Sequence, residues 1–351
     1  MKIHQMLPNY WYGDAIGNHV IEIRNILREM GCESEIYANV IHEKLTAKSY
    51  LEFEAEKSPD TWVIYHYSTG SPLNQYALEN VDNLILLYHN ITPAKYFEPF
   101  DYDAAETCKD ARALLPGFAK KVKLAIAVSE YNAAELESVG FGNVVVAPLI
   151  LNFDKIKSSG FHPFEDDKTN ILFVGRVAPH KGHEDLLKVF YFYRNYVDKN
   201  SRLVIVGSYD KNGSYYQTLK KYIDTMNLTD VVFTGSVPDD ELGGYFEDSS
   251  IFLCLSKHEG FCVPLMEAMK FKTPVVALAE SGVTNTMGYA GVLLNHVNHA
   301  QVAETLGIIK EDETLREKIK TAQTRRVHDF DRDKMVEKFK NVLTQAIDGL
   351  A

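Results

Sequence analysis

At 351 residues the chain exceeds the size at which one hydrophobic core usually stops growing, so two domains of roughly 150 residues each are expected. Its 46% hydrophobic and 24% charged residues are those of a globular protein, and no run nears the ~20 apolar residues of a membrane span. A net charge of −11 disfavours nucleic acid as a partner.

In chain order, MKIHQMLPNY lacks a basic region followed by a long apolar run. It reads as a first β-strand rather than a secretory leader, and a cytoplasmic location is expected. A helix carrying Val20, Ile23, Leu27 and Met30 follows, and then the apolar runs SEIYA, WVIYHYS, LILLYHN, LAIAVS and NVVVAP. Strands alternating with helices predict a parallel sheet covered on both faces. His66 and Ser68 follow the third run, where lining an acceptor site and ordinary turn chemistry before Pro72 are both open readings. Asp101, Tyr102 and Asp103 have DxD spacing but read as a solvated acidic loop away from a strand end. Lys120, Lys121 and Lys123 read as a solvated face, with weak peripheral contact to an anionic membrane, at its inner face, as the second reading.

Strand signals stop and Ser, Gly, Asp and Pro cluster over residues 152–170, which places the domain boundary there. The second half repeats the rhythm with NILFVGRV, RLVIVGS, DVVFTGSV, SIFLCLS, TPVVALAE and AGVLL. The expected division is a Rossmann-like domain over 1–160, a second over 161–330, and an amphipathic helix over 331–351. That helix sets Met335, Phe339, Val342, Leu343 and Ile347 on one face and is expected to pack back toward the first domain. Cys32, Cys108, Cys254 and Cys262 form no CxxC pair, which argues against a disulfide framework or a zinc knuckle.

Ligands of open α/β sheets bind at the carboxyl ends of strands, so the residues just after the strand runs carry the chemistry. After ILFVG, the loop RVAPHKG sets Arg176 and Lys181 five apart. Two cations there suit a diphosphate, although a solvated loop with two surface charges is the plainer alternative. No GxxxxGK[ST] pattern is present, since His183 follows Gly182. After SIFLCLS comes EGFCVPLME, with Pro264 at the expected first helical position, Glu259 in the loop and Glu267 in the expected first turn. A helix start of this kind offers free N–H groups to phosphate oxygens. Acids beside a diphosphate would be repelled by it, so Glu259 and Glu267 are better suited to accept hydrogen bonds from neutral hydroxyls on either side. His180 and His183 flank Lys181 without a third metal ligand, and His89 by itself reads as an ordinary strand-end histidine.

These segments together resemble the retaining glycosyltransferases of the GT-B fold, family 4, whose signature is E-x7-E. The resemblance rests on FVGRVAPHKG, VGS at 206–208, VVFTGSVPDDEL, EGFCVPLMEAM, and TPVVA with the loop ESGVTNTMG, and in the first half on AVSEYNAAEL and LLYHNIT. It implies an α/β protein whose two doubly wound Rossmann-like domains face a central cleft. It implies that Arg176 and Lys181 neutralise the diphosphate, that Glu267 holds the ribose and Glu259 the donor sugar, and that His89 reaches the sugar as part of the catalytic set. Backbone at Gly175, Ser208, Gly260, Phe261, Cys262 and Val263 would meet phosphate and sugar, and the base would lie against Thr234, Gly235 and Val237. Gly13 and Gly17 correspond to the family's paired glycines near the phosphates, although Ala15 stands close to the second of them. Cys262 stands where the family often has glycine.

The implied reaction moves a mannose- or glucose-type hexose from a GDP- or UDP-sugar to a hydroxyl of a glycan or lipid-linked acceptor, as in surface polysaccharide synthesis. It needs no metal or other cofactor, because two cations already face the leaving group. A sugar-nucleotide epimerase of the same fold and a non-catalytic partner subunit are the alternatives. A nicotinamide dehydrogenase is disfavoured, since no GxGxxG follows either domain's first strand.

Overall fold

The computed structural model describes residues 1–153, 156–157 and 160–348. Asp154, Lys155, Ser158 and Ser159 of the expected boundary segment, and residues 349–351 of the expected terminal helix, lie outside the described residues. The chain divides into two compact units, one of Met1–Glu98, Tyr102–Asn152 and Phe330–Ala351, the other of Pro99–Asp101 and Phe153–Asp329.

Among the described residues the first unit holds a parallel sheet of seven strands: β1 Lys2–Tyr10, β2 Ile36–Ile41, β3 Lys48–Ser49, β4 Thr61–Tyr67, β5 Asn83–Tyr88, β6 Leu124–Ala127 and β7 Val144–Val146. They run in the order β3-β2-β1-β4-β5-β6-β7. A sheet covered on both faces needs strands that are apolar throughout, and β4 is buried at every position. The polar residues admitted to this core are therefore informative. Register pairs Gln5 with Ile64 and His66 with Leu87, so the period-two alternation brings Gln5, His66 and the position of His89 onto one face.

Helices α1 Ala15–Glu29, α2 Pro72–Asn80, α3 Tyr102–Lys121 and α4 Glu130–Val139 complete the first unit's layers. Side-chain oxygens cap two of them, Ser71 accepting from Leu73 N–H and Ser129 from Asn132 N–H.

In the second unit, β8 Thr169–Val174, β9 Ser201–Val206, β10 Val231–Gly235, β11 Ile251–Cys254, β12 Val275–Leu278 and β13 Val292–Leu294 run in the order β10-β9-β8-β11-β12-β13. The strand order reverses between β8 and β11, which is where an open sheet of this kind leaves a crevice. Its helices are α5 His183–Phe192, α6 Ser214–Thr225, α7 Asp239–Glu247, α8 Val263–Lys270, α9 Gly282–Met287, α10 His299–Glu311 and α11 Glu313–Asp329.

The last helix, α12 Arg332–Asp348, belongs to the first unit. It buries Phe339 and Leu343, and its Arg332 guanidinium meets the Glu22 carboxylate of α1 at 2.9 Å. Glu22 is only 4% exposed, and Asn152 Nδ2 donates to it as well, at 3.1 Å. A buried carboxylate is tolerated because both oxygens have donors.

Candidate functional site

The carboxyl ends of β8, β9 and β10 are tied together through their backbones. Gly175 N–H donates to Val206 O at 2.8 Å, Gly207 N–H to Gly235 O at 2.9 Å, and Val177 N–H to Ser208 O at 2.9 Å. Gly207 has φ 147, and a Cβ there would lie 2.2 Å from Gly175 O, so only glycine allows the strand ends to approach this closely. Gly182 repeats the requirement after β8, with φ 72 and a Cβ that would fall 2.1 Å from Leu255 O. The loop carrying Lys181 is thereby pressed against the end of β11. Lys257 N–H, accepted by His180 O at 2.8 Å, fastens it there.

This fastening brings together two predicted residues that are 78 apart in sequence. Lys181 Nζ donates to Glu259 Oε1 at 2.7 Å, across the β8–β11 switch point. Burial works against the Lys181 ammonium, but the Glu259 carboxylate outweighs it and raises the lysine above its ordinary value. Arg176, in the same loop, is exposed. The Glu259 backbone is fixed from the far side: its N–H donates to Ser281 Oγ at 2.7 Å, and Gly282 N–H donates to Glu259 O at 2.9 Å. Thr286 Oγ1, on α9, donates to Phe261 O, so α9 and the residue before it clasp the loop before α8. The sequence offers the segment ESGVTNTMG as a loop, whereas Ser281 precedes α9 and Thr286 lies on it.

Helix α8 opens at Val263, with Pro264 second, and no side chain caps it. Its N-terminal N–H groups at the switch point therefore lack a side-chain acceptor. Cys262 precedes the helix at φ 70 and ψ 71, a left-handed conformation that a glycine adopts without strain. This is the physical meaning of a glycine being usual at that position in the family the sequence resembles. Cys262 Sγ lies 3.9 Å from Cys254 Sγ, both buried and both free, a proximity their spacing in the sequence did not suggest.

Glu267 falls in the second turn of α8 rather than the first, because the helix begins at Val263 and Glu267 is its fifth residue. Burial, and then the charge of Asp239, push its carboxyl up to about 7. Such a carboxyl sits poorly without hydrogen-bond donors.

Ser208, Thr234, Gly235 and Val237 lie at the ends of β9 and β10. Thr234 Oγ1 donates to Gly235 O at 2.8 Å, and β10 slips register between Phe233 and Gly235, turning the backbone out at that point. Tyr209 and Tyr216 stack beside it at 4.7 Å, with Phe233 edge-on to Tyr216 at 5.2 Å. These three aromatics were not anticipated, because they come from three separate segments.

In the first unit, Gly13 has φ 74, and a Cβ on Gly17 would lie 2.6 Å from Trp11 O. The first glycine serves the turn and the second the close passage of α1 over the chain. His89 and His66 come together with a residue not singled out in the sequence, His19 on α1, their nitrogens within 4.8 Å of one another. His66 Nδ1 is 2.9 Å from His89 Nε2, and His66 Nε2 is 2.9 Å from Gln5 Oε1. His19 stands edge-on to both rings, at 6.2 and 5.8 Å. Burial holds all three imidazoles below their ordinary range, His19 to about 3.

Other expectations change. Tyr102 and Asp103 begin α3 instead of lying in a loop, Asp103 being the acid of its first turn. Lys121 turns its ammonium to Leu78 O and is not part of a free basic surface, because the C-terminal end of α3 packs beside α2. Among the described residues His180 and His183 join no third metal-ligating side chain, and no helix is long and apolar enough to cross a membrane.

Residues 154–326 match the family model described as glycosyl transferases group 1. An uncharacterized glycosyltransferase of Haemophilus influenzae is 29% identical over 183 residues, which cover 51% of this chain and 49% of that one. The chain thus spans about half the length of the curated relatives it matches. Among solved structures, sucrose-phosphate synthase from Thermosynechococcus elongatus superimposes with TM-score 0.75 at 17% identity, covering 99% of this chain and 100% of the other. HepE of Anabaena, in complex with UDP and glucose, does so with TM-score 0.73 at 17% identity, covering 98% and 100%. The two parallel sheets with their helices are the GT-B fold of those structures, and the unit that sets Lys181 against Glu259 is the part of this chain that matches the glycosyl transferases group 1.

Proposed function

We propose that the chain is a retaining glycosyltransferase of family 4 type. It would move a hexose from a nucleoside-diphosphate sugar to a hydroxyl of a glycan or lipid-linked acceptor in surface polysaccharide or glycoconjugate synthesis. The observation that carries the reading is the Lys181–Glu259 pair, set at the switch point beside an α8 N-terminus that no side chain caps. A cation and a helix start without a side-chain cap in that place match a leaving diphosphate, and the acid matches sugar hydroxyls next to it.

In this reading Lys181 leaves Glu259 for the diphosphate when the donor binds, and Arg176 joins it. Glu259 then accepts hydrogen bonds from hydroxyls of the transferred sugar, with backbone at Gly175, Ser208, Gly260, Phe261, Cys262 and Val263 around sugar and phosphate. Glu267 accepts from the ribose hydroxyls. Those donors favour its ionised form and offset the burial that raises it. The base lies against Thr234, Gly235 and Val237. In the first unit, His89, Gly13 and Gly17 keep the roles that the resemblance implies for them.

The fixed cations stabilise charge on the leaving group. The resemblance to the family implies that the acceptor oxygen attacks the face the diphosphate leaves and that the departing phosphate takes the acceptor's proton. No metal is required, because Lys181 and Arg176 supply the positive charge. The structural neighbour HepE, solved with UDP and glucose, supports a nucleotide-sugar donor. Cytoplasmic location with the acceptor at the inner face of a membrane fits the free cysteines and the donor chemistry.

Thermal melts with UDP, GDP and their sugars test the reading. A true donor nucleotide at a hundredfold excess over its Kd adds about 2.7 kcal/mol of stability. No stabilisation by any nucleoside diphosphate removes the donor site from the proposal.

A further inference from the structure

We propose that Gln5 and His66 fix the tautomer of His89, so that His89 Nδ1 stands as a hydrogen-bond acceptor for a hydroxyl of the bound carbohydrate. The carbohydrate part of this statement rests on the transferase reading, whereas the tautomer rests on hydrogen bonds within the first unit alone.

The chain of donors and acceptors has a defined start. Gln5 Nε2 lies 3.0 Å from Val20 O, and a carbonyl only accepts, so this end of the amide is the NH2 group. Gln5 Oε1 is then the atom 2.9 Å from His66 Nε2, and an amide oxygen also only accepts. His66 Nε2 therefore carries the proton. A neutral imidazole carries one proton, which leaves His66 Nδ1 as a lone pair. His89 Nε2, 2.9 Å away, must donate to it. The His89 proton is thus on Nε2, and its Nδ1 is free to accept.

Neutrality is the condition on which this assignment depends. Burial is the largest cause holding His66 and His89 well below their ordinary range, and the neighbouring histidines push the same way. Were His66 an imidazolium, both of its nitrogens would donate and the sense of the chain would reverse at His89. His89 N–H donates to Tyr67 O at 3.0 Å, which fixes the backbone beneath the ring, and the two imidazoles lie nearly parallel at 15°. Among the described residues no second hydrogen-bond partner of the His89 ring occurs, and the residue is only half-buried, so Nδ1 is left for a ligand. The site so built receives an O–H donor and rejects an acceptor group such as a carbonyl or phosphate oxygen at that point.

The spacing of the three histidines also suits a transition metal. A metal would need lone pairs at both facing nitrogens of His66 and His89, and so would break the bond between them. No carboxylate belongs to the cluster to offset the cation's charge, and the hydrogen-bonded neutral arrangement is the one the geometry favours.

Long-range proton–nitrogen correlation spectra of the histidine-labelled full chain, near neutral pH, read the tautomers directly. The expected result is Nε2–H on both His66 and His89. An Nδ1–H form of His89, or metal-shifted nitrogens on all three histidines of the protein as purified, would overturn the proposal. In Gln5→Leu, His89 is expected to show a mixture of tautomers, and an unchanged spectrum would remove Gln5 from the relay. The same variant should lose turnover on the order of tenfold, with donor KM within about twofold of the parent, and a loss carried by KM alone would count against a tautomer effect. The spectra need no turnover, so the stated tautomers in a chain that transfers no sugar would overturn the transferase reading and leave the relay standing. They also need no variant, so a Gln5→Leu chain that failed to fold would leave the parent spectrum to decide.

Discussion

At the switch point of its sheet the second unit sets a charged pair, Lys181 against Glu259, whereas the first unit sets the neutral histidines His66 and His89 over Gln5. The two sheets share their parallel architecture, yet the physical means differ. In the second unit, cation and carboxylate offset each other's burial, and the pair is held by backbone clasps that only glycines permit. In the first unit no charge enters, and specificity comes from the direction of hydrogen bonds along three strands. The contrast teaches that one fold can offer charge stabilisation on one sheet and directional polar recognition on another, each set by which polar residues its core strands admit.

Removing charge from the second unit should have the largest effect. Lys181→Ala is expected to lower turnover on the order of 10²-fold or more, because leaving-group charge loses its fixed partner. Steady-state kinetics with a released-nucleotide assay measures this, and unchanged turnover would break the electrostatic side of the comparison.

Backbone fastening comes next. Gly207→Ala is expected to cost about 3 kcal/mol of stability, since its Cβ would stand 2.2 Å from Gly175 O. Urea unfolding measures it, with Gly13→Ala as the contrast, where the φ of 74 is unfavourable but no atom lies within 4 Å.

Glu267 sharpens the comparison through pH. Its folded value of about 7 lies above the ordinary 4.5, so the folded chain binds the extra proton and stability is lost as pH rises from about 4.5 through 7. Glu267→Gln should therefore raise stability above pH 7 by roughly 3 kcal/mol while weakening nucleotide affinity. Thermal melts on both sides of that window, with and without nucleotide, separate the two effects. Unaltered affinity would contradict the ribose role.

His19 works in the opposite sense. Its folded value of about 3 lies below 6.5, so its contribution is present above pH 6.5 and is lost as pH falls through that window. By pH 5 this loss should reach about 2 kcal/mol, and it should be absent from the pH dependence of His19→Leu. Equal pH dependence in parent and variant would mean that His19 is not held neutral by burial.

The smallest expected effect is none at all, a transfer rate unaltered by EDTA. Loss of activity on chelation would turn attention to Asp101 and Asp103, or to the three histidines.

Much of the fold was legible because apolar runs such as WVIYHYS and RLVIVGS have the continuous hydrophobicity that a twice-covered parallel strand requires. The second unit's site was legible for a related reason. Its residues follow strands directly, so sequence position and sheet position coincide at Lys181 and Glu259. The histidine cluster was only partly legible. His66 and His89 follow strand runs, but Gln5 lies within β1 and His19 within α1, and neither carries a local signal of function.

The sequence by itself determined the alternation of strands and helices, the glycines at the strand ends and the residue types after each strand, because these follow from local periodicity and conformational preference. Tertiary structure alone decided that Lys181 would face Glu259, that Cys262 would stand at a glycine-like φ 3.9 Å from Cys254, and that Gln5, His66 and His89 would form one hydrogen-bonded chain. Each of these is a meeting of separate strands or loops, fixed by register and by the close approach of backbones, and no local pattern in a chain encodes where a distant segment will come to rest.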